Sequence, residues 1–100
     1  MTLTNKELEN LMASPFWQQC MHAVENEEYL SVNGQQMPQA IWNLICSRRD
    51  LTMWCNAGIK AHRHWKVSDV KNYFNITGSR STLLARFMKI YTHVLGDDEQ

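Results

Sequence analysis

The sequence predicts an all-α protein, a compact bundle of about six short helices around one modest core. Three observations carry that reading. Apolar residues recur at three- and four-residue spacing in one segment after another. Serine, threonine, proline and glycine stand where helices would start and stop. Only one stretch, residues 29–37, reads as a strand candidate. At 100 residues the chain suits a single domain, expected over 1–96, with a flexible acidic tail over 97–100.

Residues 2–13 predict a first short helix. Thr4 and Glu7 have the spacing of a capping box, and Leu8, Leu11 and Met12 form a stripe. Ser14-Pro15 starts a second helix, with serine as cap and proline at the first helical position. Phe16, Trp17, Cys20, Met21 and Val24 give it a broad apolar face, which fades at the acidic run Glu25–Glu28. Asn33-Gly34 is a hairpin signal, but its flanks are short and alternate weakly. A loop carrying at most a two-stranded flap is expected there.

Pro38 opens a third helix with Ala40, Ile41, Leu44 and Ile45 inward and Trp42 at the edge. Arg48 and Arg49 suit its C-terminal end, and Asp50 can cap a fourth helix over 51–56, which Asn56-Ala57-Gly58 ends. Residues 59–64, IKAHRH, form a basic connector. Ser68 is a good cap for a fifth helix, whose apolar face is Val67, Val70, Tyr73 and Phe74. Gly78 would supply the stop and Ser79 the next cap. Leu83, Leu84, Phe87, Met88, Tyr91 and Leu95 line the last helix, closed by Gly96.

No long apolar run predicts a membrane span, and the polar N-terminus is unlike a secretory signal. Cys20, Cys46 and Cys55 are an odd number without framework spacing, so a reduced, intracellular (cytoplasmic) protein is expected. The zero net charge hides an asymmetry. Residues 1–47 carry one lysine against five glutamates, net −4, and residues 48–93 carry nine basic side chains against two aspartates, net +7. Asp97, Asp98 and Glu99 add −3. A basic half between acidic ends fits a polyanionic or acidic partner. It fits equally a solvated surface whose charges pair with the acidic segments.

No catalytic or cofactor motif is present, so no enzyme activity and no cofactor are expected. Cys46, Cys55, His62 and His64 run C-x8-C-x6-H-x-H, which lacks the close pairs of a structural zinc site, so no metal is expected either. Cys20 and His22 stand on different sides of a helix and cannot act as nucleophile and base. The connector is richer. Lys60, His62, Arg63, His64, Trp65 and Lys66 set cations beside an aromatic ring, a mix that can pair phosphates and stack on a base. Against this, tryptophan is usually largely buried, and Trp65 would then plug the core.

In Lys66-Val67-Ser68-Asp69-Val70-Lys71, Tyr73-Phe74, Gly78, Arg80, Leu83, Leu84, Arg86 and Phe87, the chain resembles the SAP family of helix–extension–helix DNA-binding modules. The likeness covers residues 65–87, with a shorter link between the helices than the family usually carries. It implies a helix pair that approaches DNA, with Arg80 at a phosphate beside the helix N-terminus and roles for Lys66 and Arg86. A helix-turn-helix reading of the same stretch would put Arg80, Ser81 and Thr82 in a major groove.

These readings converge on a small, non-enzymatic nucleic-acid-binding protein. Its candidate contacts are Lys60, Arg63, Lys66, Lys71, Arg80, Arg86 and Lys89, acting mainly on phosphates. The competing expectation is a protein-binding module, such as a small adaptor or an inhibitor of a larger enzyme, of the kind viruses encode. A homodimer through the broad face of residues 16–24 is a third.

Overall fold

The computed structural model describes residues 3–96; the expected acidic tail at 97–100 lies outside them. Thr4 starts α1 (Asn5–Met12) through the anticipated capping box. Its Oγ1 accepts from the Glu7 N–H at 3.1 Å, and Glu7 Oε1 accepts from the Thr4 N–H at 2.8 Å. Ser14 then caps α2 (Pro15–Glu25), accepting from the Trp17 N–H at 3.1 Å while its hydroxyl donates to the Leu11 carbonyl. Ser14 is wholly buried, and these two bonds satisfy it.

A Schellman motif ends α2. Glu28 N–H reaches the Ala23 carbonyl at 2.8 Å, with Glu27 in the left-handed region at φ 54°. Strands β1 (Leu30–Val32) and β2 (Gln35–Met37) then pair antiparallel, with Val32 opposite Gln35. The fold is therefore helix-dominated rather than strictly all-α. Asn33 at φ 51° and Gly34 at φ 82° supply the two positive φ values of a type I′ turn, whose twist suits a hairpin.

The described residues hold five helices, not six, because the expected third and fourth are one: α3, Gln39–Ala57. Asp50 does not cap a new helix. It lies inside α3, where its carboxylate takes the Arg49 guanidinium at 3.0 Å. No glycine or proline interrupts the segment, and Ala40, Leu44 and Leu51, spaced by four and seven, stay on one buried face. Gly58, at φ 70°, ends the helix in a left-handed cap.

After the connector, α4 (Val67–Phe74) begins two residues earlier than a Ser68 cap would allow; Lys66 is the capping position and makes no side-chain cap bond. Its stop is Asn75, at φ 55°, rather than Gly78. Asn75 serves because its amide also donates to the Asn10 carbonyl at 2.9 Å, which ties the turn to α1. Gly78 instead sits in the link at φ 130°, where a Cβ would crowd Thr82 at 3.0 Å. Ser79 precedes α5 (Arg80–Leu95) without a side-chain cap bond, and Gly96, at φ 89°, ends that helix as the cap residue itself rather than as the residue after the cap.

Helix α3 packs on α2 and α5, α2 also packs on α4, and α1 leans on α2. The centre is aromatic. The Phe74 ring lies 5.2 Å from both Phe16 and Phe87 and 4.8 Å from Tyr73, counted between centroids. The broad face of α2 divides: Phe16 and Ala23 are buried, Trp17 and Cys20 half-buried, and Met21 and Val24 exposed. Among the described residues no helix is long and apolar enough to cross a membrane.

Candidate functional site

The basic connector leaves α3 at Gly58 and returns to the core at Trp65. A turn closes it, with Trp65 N–H on the His62 carbonyl at 3.0 Å. Trp65 is 9% exposed and packs on Trp54 of α3, ring centroids 6.0 Å apart. The ring therefore anchors the connector and is not available for stacking on a base. Lys60, His62, Arg63, His64 and Lys66 stay exposed around it.

Trp54 links the connector to α5. The Arg80 guanidinium lies over its ring, 4.9 Å from the centroid. A Cβ at Gly58 would stand 4.0 Å from the Arg80 Nη2 atom. The Cys55 thiol donates to the Arg80 carbonyl at 3.2 Å. Arg80 thus sits at the C-terminal end of α3, where a cation is favoured by the carbonyl dipoles. Lys60, Arg63 and Lys66 lie on or beside the connector, whose Gly58 end is near Arg80 and whose Trp65 end packs on Trp54. From Leu51 to Ser68 the chain has no acidic residue, and among the described residues no carboxylate pairs with any of the four cations. Arg63 does donate to His64 Nε2, at 3.3 Å.

The other three candidates lie elsewhere. Lys71 is half-buried in the last turn of α4. Arg86 donates through Nη1 to both the carbonyl (2.8 Å) and the hydroxyl (3.1 Å) of Thr77. Lys89 is bound to both oxygens of Glu7, at 2.9 and 3.0 Å, across the α1–α5 contact. Glu7 is held below the usual carboxylate range, first by the Thr4 N–H and then by Lys89. Arg80 and Lys89 are about two and a half turns apart on α5, which puts them on opposite sides of the helix. The residue missed by sequence reasoning is Trp54. Its signal was present, since an aromatic in the last turn of a helix can carry a cation from a neighbouring element.

The remaining polar chemistry is structural. Burial pushes the Cys20 and Cys55 thiols up, Arg80 opposing this at Cys55. Burial also raises Tyr73, whose hydroxyl accepts from Asn43 at 3.1 Å and donates to Gln19. Among the described residues no three His, Cys, Asp or Glu side chains come together as metal ligands would. No family model matches this chain, and neither does any curated protein or solved structure.

Proposed function

We propose that this protein binds nucleic acid through the connector end of the molecule, with Lys60, Arg63, Lys66 and Arg80 contacting phosphates. The observation that supports the reading is the exposure of Lys60, Arg63 and Lys66 along a connector anchored to the Trp65–Trp54–Arg80 stack, without a paired carboxylate among the described residues. Two of the four proposed contacts are held near a rigid element: Arg80 on a tryptophan ring, Lys66 beside a buried one. The likeness of residues 65–87 to the SAP family points the same way for Lys66 and Arg80. Lys71 is a peripheral contact at most, and Arg86 and Lys89 belong to the fold's own polar ties.

The ligand that fits is a duplex read by its backbone. Trp65 is buried and Trp54 lies under Arg80, so neither tryptophan at the basic end is free to stack on an unstacked base. Affinity then comes from counterion release and falls with salt. The test is binding of the purified protein to labelled duplex and single-stranded DNA at two salt concentrations. Preferential duplex binding that weakens steeply with salt is expected; no binding at low salt would overturn the reading.

One observation favours a second reading, a protein-interaction module. Met21 and Val24 are 39% and 46% exposed on α2, on the side that Trp17 begins, with exposed Tyr29 and Glu25–Glu28 following. An apolar strip with an acidic border suits an adaptor or inhibitor surface. A stoichiometric complex that survives nuclease and high salt would support it. A second copy of the chain on the same strip would show as a doubled mass in light scattering.

A further inference from the structure

The α1–α5 contact encloses a cleft of about 260 Å³ that the phosphate-binding reading does not use. Its floor is Leu11, Phe74 and Ile90, and Leu3 and Ile76 stand at its sides. Three polar ties frame it: Lys89 to Glu7, Asn75 to the Asn10 carbonyl, and Arg86 to Thr77. These ties join α1, the α4–α5 link and α5, so the opening is held in shape before any ligand arrives.

Arg86 is the chemically unspent group. Nη1 makes both bonds to Thr77, which fixes the plane of the guanidinium. The edge formed by Nε–H and Nη2–H makes no bond among the described residues. That edge carries two parallel donors, which match the two oxygens of a carboxylate. Charge sets the valence of the ligand. Glu7 and Lys89 neutralise each other, leaving Arg86 as the unpaired charge of the lining, which matches a single negative charge on the ligand. The apolar floor calls for a hydrocarbon group beside the carboxylate, and the small volume limits that group to one ring or a short chain.

We propose that this cleft binds a small organic monocarboxylate, its oxygens on the free edge of Arg86 and its hydrocarbon group against Leu11, Phe74 and Ile90. The inference is independent of nucleic-acid binding, since none of Lys60, Arg63, Lys66 and Arg80 lines the cleft.

The probes are benzoate and hexanoate, with benzyl alcohol and inorganic phosphate as controls, followed by amide chemical shifts on the full chain. Both carboxylates should perturb Ile76, Thr77 and Ile90 with a dissociation constant on the order of 1 mM, as suits ligands of so few atoms. Phosphate and benzyl alcohol should be at least about tenfold weaker there. Arg86→Lys, which keeps the charge and loses the fork, should weaken benzoate about tenfold. Arg63→Ala with Lys66→Ala should leave benzoate binding unchanged. The wild-type map stands even if an Arg86 variant unfolds. No perturbation of the cleft, perturbation confined to the connector, or benzyl alcohol binding as tightly as benzoate would each overturn the proposal.

Discussion

Two variants that look alike in sequence should behave oppositely. Arg63→Ala with Lys66→Ala removes two exposed cations without a carboxylate partner among the described residues. Arg86→Ala removes one whose guanidinium holds the Thr77 carbonyl at 2.8 Å. With four phosphate contacts, the logarithm of the binding constant should fall against log salt with a slope of about −3.6 on duplex DNA. That is roughly a 150-fold loss between about 50 and 200 mM salt. The Arg63/Lys66 double variant keeps two contacts. Its slope should be about −1.8, with a loss of only about 12-fold over the same range. Its stability should stay within about 0.5 kcal/mol of the parent, as for surface changes away from packing. Arg86→Ala should keep the parent's slope and lose about 1 kcal/mol of stability, the net worth of a typical hydrogen bond. Fluorescence anisotropy across a salt series gives the slopes, and urea denaturation gives the stabilities. The reasoning fails if the double variant keeps the parent slope, or if Arg86→Ala lowers it by about one unit as a phosphate contact would.

Three further outcomes follow from the geometry. Phe74→Ala opens a cavity at a fully buried ring that touches three other aromatics, and should cost about 3–5 kcal/mol in urea denaturation; a loss near that of an exposed site would show that the core is not organised on Phe74. Glu7→Gln should cost about 1 kcal/mol at neutral pH, through the partly buried pair with Lys89. Because the folded Glu7 carboxyl titrates below its unfolded value, the wild-type advantage is complete above about pH 5 and vanishes as pH falls through the lowered value; a gap that persists at low pH would count against the ion pair. Cys20 and Cys55, with thiols raised by burial, should alkylate with iodoacetamide at neutral pH more slowly than a free cysteine peptide, and mass spectrometry of the time course reads this site by site.

Local chemistry was legible in the sequence. The Thr4–Glu7 box, the Ser14-Pro15 start and the Gly96 close each need only residues within a few positions of one another. Spacing placed Val70, Phe74, Leu83 and Phe87 inward, and all four are buried; Ile90, also buried, was not on the expected face of α5. The hairpin was half legible. Asn33-Gly34 specifies the turn, but whether flanks of three residues pair depends on what they pack against.

Where propensities conflict, tertiary packing decided. Asp50 is a good cap and a tolerable interior residue, and Leu51 made the choice by continuing the buried face of Leu44 across it. The fate of the cations was beyond sequence reasoning for the same kind of reason. Glu7 and Lys89 are 82 positions apart, and only the packing of α1 on the bundle makes them a pair. Arg80 joins the connector because Trp54 and Trp65 stack between them. A charge pattern along a chain counts cations. Which of them remain free for a partner depends on distances in space, and those are set by how the hydrophobic faces close on one another.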